Sequence, residues 1–163
     1  MPRPTGDADF ADYFRGRVVP MRRLAYALCG DWHTAEDLVQ TAFVALYRNW
    51  GGIRPESLDA YARRVLVNTF LSHRRNRRRE SVTASLPEAP VIGADPGARI
   101  DLGRALAELP PRQRAAVVLR HIEDLPVSEV ADILGMAEGT VKSQTARGVE
   151  ALRHALNPVM EQS

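Results

Sequence analysis

The stretch that decides the fold is PVSEVADILGMAEGTVKSQTARGVEALR, residues 126–153. Its apolar residues keep a helical spacing as far as Leu134, the pattern breaks at Gly135, and a second helical pattern begins near Ala137. Two helices joined by a tight glycine turn are typical of a helix-turn-helix. The small side chain of Ala131 permits a close approach of the two helices.

The second helix of this motif has a polar outer face. Its side chains can bond base edges and phosphates in a major groove; they are Glu138, Lys142, Ser143, Gln144 and Arg147. Lys142 is the only lysine in a chain that otherwise uses arginine. The pattern therefore predicts binding to duplex DNA, and the alternative is an ordinary helical hairpin with a solvated face.

The rest of the chain shows the same helical period, and no segment alternates with the period of two that marks a strand. Apolar spacing and breakers predict further helices over residues 10–28, 34–50, 57–80, 100–109, 111–122 and 128–134, and a last one from 137 to about 157. The predicted fold class is therefore all-α.

Proline, glycine and capping residues predict how these helices begin and end. Pro20 predicts a kink or break in the first helix. Asp31 and Thr34 are candidate N-caps of the second helix, and Ser128 is the candidate N-cap of the first helix-turn-helix helix. The glycines and proline of Gly51–Asp59 predict a loop.

Residues 81–97 differ from their surroundings, because they hold three prolines, two glycines and no basic residue. This composition predicts a flexible or extended linker. The chain is thus expected to form two small helical domains, residues 1–80 and 98–163, joined by that linker.

Composition excludes several classes of protein. The 163 residues are 45% hydrophobic and 26% charged, the ordinary balance of a globular protein. There is no run of about 20 apolar residues and no signal peptide. The single cysteine, Cys29, can form neither an internal disulfide nor a thiolate metal site. We expect a cytoplasmic protein without membrane contact, metal or cofactor, and without catalytic residues, since no nucleophile–base arrangement or phosphate loop is present.

Positive charge is concentrated between Asp59 and Glu80, where seven arginines occur without any acid. Such a density attracts a polyanion, and aromatic residues among the arginines suit contact with unstacked bases. Asn68, Ser72 and Arg75 fall on one helical stripe of this segment. The alternative is a basic helix end that complements its own dipole.

A third motif, AEDLVQ, occupies residues 35–40. Helical spacing places Glu36, Asp37 and Gln40 on the polar side, opposite Leu38. On composition alone this segment is a solvated helix start.

Taken in this order, the three motifs resemble the extracytoplasmic-function (ECF, group IV) sigma factors of bacterial RNA polymerase, and more narrowly the actinobacterial SigE-type subfamily. The resemblance runs from about Phe10 to Leu156. It implies a sigma factor that binds core RNA polymerase and directs promoter-specific initiation by recognising −35 and −10 elements and promoting DNA melting. The implied partners are the β′ clamp helices and β flap of the polymerase and promoter DNA, with an anti-sigma factor as a further candidate.

The resemblance also assigns roles to residues. It implies polymerase contacts by Glu36, Asp37 and Gln40. It implies −10 contacts by Tyr61, Arg64, Asn68, Ser72, Arg74, Arg75 and Arg78. It implies −35 contacts by Glu138, Thr140, Lys142, Ser143, Gln144 and Arg147. Asn68 would lie beside a flipped-out base, and the Gly51–Asp59 loop would set −10 specificity. Ala137 replaces the family's usual serine, which predicts a recognition helix without a side-chain N-cap.

Two other classes remain as alternatives from the residues alone. A repressor or activator with an N-terminal sensing or dimerisation domain explains residues 100–156 but leaves the AEDLVQ motif and the arginine helix unexplained. A polymerase-independent adaptor would use the N-terminal helices as a protein-binding module.

Overall fold

The computed structural model describes residues 6–80 and 96–157, with side chains described for 6–73 and 101–157. Within these ranges the chain forms seven α-helices: α1 (Gly6–Cys29), α2 (Trp32–Arg48), α3 (Leu58–Glu80), α4 (Pro96–Glu108), α5 (Pro111–Val117), α6 (Val127–Leu134) and α7 (Glu138–Leu156). No strand occurs in the same ranges, which confirms the all-α prediction. None of the helices found there is both long and apolar enough to cross a membrane.

Helices α1, α2 and α3 form the first unit, held by an aliphatic core with an aromatic edge. The aliphatic part includes Leu24, Leu46 and Leu66, all essentially fully buried. At the edge, the Phe10 and Trp50 rings meet edge to face at 5.3 Å. Apolar burial of this kind supplies most of the stability of short helices.

The helix α1 runs without interruption through Pro20, so of the predicted kink or break the break does not occur. Beyond the proline, Met21, Leu24 and Leu28 are at most 1% exposed. The burial of these side chains in the two turns after Pro20 offsets the loss of the backbone hydrogen bond that the proline cannot make.

The helix starts are only partly as predicted. Asp31 is the N-cap of α2, and its carboxylate accepts the backbone N–H of Thr34 at 2.8 Å, which confirms it as a cap. Thr34 is instead a buried residue of the first turn, whose hydroxyl donates to the same carboxylate. Ser128 is not a cap, because α6 already begins at Val127 and the extended backbone of Pro126 occupies the N-cap position.

Residues 50–57 are more ordered than the predicted loop. They form two short 3-10 turns, Trp50–Gly52 and Pro55–Ser57. Trp50 and Ile53 are 5% and 6% exposed, so two apolar anchors fix this segment against the core.

Helices α4 to α7 form the second unit. Helix α5 continues into a π-helical turn, Val118–Ile122, and α6 and α7 then make the predicted helix-turn-helix. Gly135 adopts the left-handed conformation (φ 64°) that the tight turn requires. Helix α7 begins without a side-chain cap at Ala137, as predicted.

The two units pack against each other. Helix α3 lies against α5 and α6, and α1 lies against α4, so the buried apolar residues of both units form one continuous cluster. Helix α4 begins at Pro96, so the last two residues assigned to the linker are helical. Most of that predicted linker, residues 81–95, lies outside the described residues.

Helix α7 packs tightly on α5 at Gly148, so one added methyl group is predicted to have a strong effect. A Cβ on Gly148 would overlap Val117 Cγ2. Because valine is stiff at χ1, we expect Gly148→Ala to lower the free energy of unfolding by about 1–3 kcal/mol. Thermal denaturation followed by circular dichroism measures this change.

Gly139→Ala is the matched control on the same helix, since a Cβ there meets nothing within 4 Å. Alanine favours the helix, so this variant should be as stable as the parent or slightly more stable. Equal stability of the Gly148 and Gly139 variants would contradict the proposed close contact.

Candidate polymerase and promoter interfaces

The outer face of α2 presents part of the AEDLVQ motif to solvent. Asp37 and Gln40 are both exposed. Glu36 is only partly exposed, and its carboxylate lies 2.5 Å from the Arg22 guanidinium of α1. The structure therefore brings Asp37 and Gln40 together on an open surface, whereas Glu36 ties α2 to α1.

Val44 extends this surface and was missed by the sequence analysis. It lies seven residues after Asp37, two helical turns along the same face, and is 51% exposed. The hydroxyl of Thr41, between them, donates to the Asp37 carbonyl at 3.0 Å. We call Asp37, Gln40, Thr41 and Val44 the α2 stripe. Its spacing from Asp37 was the signal by which the sequence analysis could have found it.

The outer face of α3 carries a second stripe. Arg64, Asn68 and Ser72 are exposed and follow one another at intervals of four residues. Tyr61, in contrast, is half-buried and packs against the core. The side chains of Arg74, Arg75 and Arg78 lie outside the described residues. We call Arg64, Asn68 and Ser72 the α3 stripe.

A groove of about 470 Å³ joins the two stripes. It is lined by Thr41, Val65, Asn68, Thr69, Ser72 and His73. The His73 Nε2 atom is buried and has no hydrogen-bond partner in the structure. A groove with an apolar wall and several amide, hydroxyl and imidazole groups suits a planar, hydrogen-bonding ligand.

Helix α7 exposes most of its predicted contact residues. Glu138, Thr140, Lys142, Ser143 and Arg147 are all exposed. Gln144 is partly buried, and its amide oxygen accepts a hydrogen bond from Gln113 Nε2 of α5 at 3.4 Å. Gln144 is therefore already engaged inside the unit, which the helical pattern of α7 alone did not reveal.

A groove of about 430 Å³ runs beside Lys142. Its lining includes Arg120 and His121 of the π-helical turn and Arg153 and Glu150 of α7, and the last two form an ion pair. Sequence analysis did not connect Arg120 and His121 with α7, because they meet that helix only when the π-helical turn packs against it. The groove thus places basic side chains of the two elements side by side, with one acid among them.

Two partly buried groups of the first unit have raised pKa values. Burial raises the pKa of the Cys29 thiol to about 11, so the cysteine is protonated at neutral pH. Burial also raises the pKa of Tyr13, and its bond to the Asp59 carboxylate adds to the effect. Among the described residues there is no cluster of three or more histidine, cysteine or acidic side chains that could hold a metal ion.

Comparison with known proteins accounts for both units. Residues 14–80 match the family model described as Sigma-70 region 2, and residues 99–152 match Sigma-70, region 4. The RNA polymerase sigma-E factor of Streptomyces avermitilis is 42% identical over 155 residues, which cover 91% of this chain and 85% of that protein. The ECF RNA polymerase sigma factor SigM of Mycobacterium tuberculosis is 33% identical, with 90% and 76% covered.

The chain belongs to the ECF sigma factors.

Solved structures agree with this assignment. The sigma factor RpoE of Bartonella quintana, in complex with the anti-sigma factor NepR, superposes with a TM-score of 0.81 at 28% identity, covering 93% of this chain and 98% of RpoE. The SigJ sigma factor of Mycobacterium tuberculosis gives a TM-score of 0.65 at 25% identity, covering 93% of this chain and 56% of SigJ. This sigma factor is therefore an alternative initiation factor that directs transcription. The repressor and adaptor alternatives are wrong, because both family models and the sigma-factor relatives account for nearly the whole chain.

Proposed function

We propose that this sigma factor binds core RNA polymerase through the α2 stripe, reads −10 DNA with the α3 stripe and reads −35 DNA with α7. The observation that carries the proposal is that all three polar surfaces are exposed and that the groove at Thr41 and Asn68 joins the first two. A polymerase contact on α2 would thus place an unpaired −10 base next to Asn68. Capture of that base offsets part of the cost of strand separation.

The partners follow from these surfaces. The β′ clamp helices would contact the α2 stripe, the β flap would contact the second unit, and promoter DNA would contact α3 and α7. An anti-sigma factor is a further proposed partner, supported by the RpoE–NepR complex. Because polymerase and promoters are cytoplasmic, we propose that this protein acts in the cytoplasm as a binding factor and not as an enzyme.

Run-off transcription tests the proposal directly. The purified full chain is mixed with sigma-free core polymerase and a library of promoter DNA. Transcripts that require both the chain and core support the proposal. A gel shift of duplex DNA without polymerase, with no transcript, would contradict it.

The α2 stripe yields the first functional prediction. The double substitution Asp37→Ala and Gln40→Ala should leave the helical circular dichroism unchanged, because both side chains are exposed. It should weaken core binding at least severalfold, measured by fluorescence anisotropy of labelled sigma factor.

Asp12→Ala is the control, since it removes an exposed acid from α1 instead. It should bind core like the parent. If the double variant also binds like the parent, the α2 stripe is not the polymerase contact.

The recognition helix yields the second prediction. Lys142→Ala and Arg147→Ala should weaken −35 binding, and a lost base contact costs about 1–3 kcal/mol and relaxes one position. Gln144 can meet adenine with a paired donor and acceptor, but only after it releases Gln113. These effects are measured as the affinity of the polymerase holoenzyme for promoter duplexes in which each −35 position is varied in turn.

Gln113→Ala separates the two roles of Gln144, because it breaks the same hydrogen bond from the other side. If Gln144 reads a base, Gln144→Ala relaxes one −35 position and Gln113→Ala relaxes none. Identical base preferences in the parent and in the Gln144→Ala variant would refute the reading role.

The α3 stripe yields the third prediction. The Asn68 amide both donates and accepts, so it can distinguish the edge of a base, whereas Arg64 only donates. Asn68→Ala should broaden the preferred base at one position of a promoter library randomised at −10. Arg64→Gln should reduce transcription from all members alike. Unaltered preferences after Asn68→Ala would show that −10 reading does not depend on this residue.

A further inference from the structure

Tyr13 of α1 contacts both ends of residues 50–57, which we call the turn segment. Its ring packs against the Trp50 ring at the start of the segment, with the ring centroids 5.5 Å apart. Its hydroxyl donates to Asp59 Oδ1 at 2.9 Å, just beyond the end of the segment. Because burial and the Asp59 carboxylate both raise the pKa of Tyr13, the hydroxyl keeps its proton at neutral pH and remains a donor. One side chain therefore joins the two ends of the turn segment.

Arg17 contacts the same carboxylate from the next turn of α1. Its Nε atom lies 3.3 Å from Asp59 Oδ1, and its side chain is only 25% exposed. The Nε atom makes this ion pair without a hydrogen bond, so its attraction to the carboxylate is mainly Coulombic. Since Tyr13 and Arg17 are four residues apart, they lie on the same face of α1. Together they fix one carboxylate oxygen of Asp59 against that face.

The backbone hydrogen bonds of the turn segment are local. The Gly52 N–H donates to the Asn49 carbonyl at 3.0 Å, and the Ser57 N–H donates to the Arg54 carbonyl at 2.9 Å. Bonds of this range fix the shape of each turn. The position of the whole segment against α1 depends instead on side-chain contacts such as those of Tyr13.

The exposed side of the turn segment is continuous with the α3 stripe. Counting back from Arg64 by four and then three residues gives Ala60 and Ser57, and both are exposed. At a helical rise of about 1.5 Å per residue, Ser57 and Asn68 are separated by roughly 16 Å, or about five nucleotides of a stacked strand. A DNA strand that follows the α3 stripe therefore reaches the turn segment, where the exposed Arg54 offers a cation to its phosphates.

We propose that Tyr13 and Arg17 are positioning residues for −10 recognition, because they hold the turn segment in register with the α3 stripe through Asp59. The inference rests on the proposed function, in which the α3 stripe reads −10 DNA. Neither side chain needs to touch DNA. They determine where the turn segment meets the strand relative to Asn68, and hence which base sequences both can contact at once.

The Tyr13 hydroxyl is the part of this contact that a merely stabilising role does not require. The ring can pack against Trp50 without it, and Asp59 in the first turn of α3 complements the helix dipole by itself. Loss of the hydrogen bond frees the carboxyl end of the turn segment, while Trp50 still anchors its amino end. A binding surface held less precisely discriminates less well between ligands.

The test variant is Tyr13→Phe, which keeps the ring and removes only the hydroxyl. Tyr47→Phe is the matched control, because the Tyr47 hydroxyl makes a similar hydrogen bond to Asp7 Oδ1 at 2.8 Å. That bond joins α2 to α1 and involves neither the turn segment nor α3. Each variant thus loses one tyrosine–aspartate hydrogen bond, but only Tyr13→Phe loses a bond to α3.

Hydrogen exchange of the free, full-length chain tests the positioning itself. The backbone amides of Gly52, Ile53 and Ser57 donate within the turns. They should exchange about fivefold faster in Tyr13→Phe, the factor that corresponds to the net contribution of one hydrogen bond. They should exchange in Tyr47→Phe as in the parent. Unchanged exchange in Tyr13→Phe would show that Tyr13 does not hold the turn segment.

Transcription by the holoenzyme from a promoter library randomised at −10 tests the effect on recognition. With Tyr13→Phe, the ratio of transcripts from the preferred and the next-best base should fall severalfold at one or more −10 positions. Affinity for core polymerase and the −35 preferences should stay as in the parent, and Tyr47→Phe should keep the parent's ratios throughout. An equal loss of transcription from all library members, or unaltered ratios, would leave Tyr13 a structural role only and overturn the proposal.

A double-mutant cycle tests whether Tyr13 acts through Asp59. Because Tyr13→Phe and Asp59→Ala disrupt the same contact, the double variant should broaden the −10 preference no more than Asp59→Ala alone. Additive broadening would contradict a shared contact. Arg17→Lys keeps the cation, so its −10 ratios should stay closer to those of the parent than the ratios of Arg17→Gln.

The two arms separate this inference from the proposed function. If the parent chain supports no transcription with core polymerase, the proposed function fails. Hydrogen exchange then still decides whether Tyr13 holds the turn segment. If the parent transcribes and Tyr13→Phe speeds amide exchange but leaves the −10 ratios unaltered, the proposed function stands and the positioning role is overturned.

Discussion

The packing of α3 is the constraint on which the rest of the structure depends. Helix α3 faces the core of the first unit, the second unit and solvent. With 3.6 residues per turn, each of these three surroundings must be met by a separate line of side chains along the helix. Ala62, Leu66 and Phe70 are fully buried and lie on one face of α3. Arg63 pairs with the second unit, and Asn68 remains open to solvent. A shift of one residue in this register would bury the polar stripe, so core packing and the exposure of the α3 stripe are fixed together.

Much of this arrangement could be predicted from local sequence. The helix-turn-helix could be predicted because glycine suits the left-handed conformation that Gly135 adopts and the apolar residues around it keep a helical period. The open positions of Asp37 and Asn68 also followed from spacing alone. The N-cap at Asp31 could also be predicted, because an aspartate just before a helix accepts hydrogen bonds from the first backbone N–H groups of that helix. The family resemblance added roles that spacing could not supply.

The remainder depends on contacts between residues distant in sequence. Gln144 is engaged by Gln113, and Glu36 is engaged by Arg22. Neither pairing has a local pattern, because each needs two helices at a defined angle. The helix continues past Pro20 for a related reason, since tertiary burial of its neighbours overrides the local preference against proline within a helix. The contact of Arg63 with Glu129 spans 66 residues and includes the boundary that composition placed between domains.

Neighbouring arginines of α3 show how helix register decides the surroundings of a charge. Arg63 Nη1 lies 3.3 Å from Glu129 Oε1 of α6, whereas Arg64, one residue later, is exposed to solvent. One residue turns a side chain by about 100° around the helix axis, so the two cations face different surroundings. Salt screens an exposed charge more strongly than a partly buried pair. Arg63 therefore serves as a contact between the two units, and the charge of Arg64 remains exposed on α3.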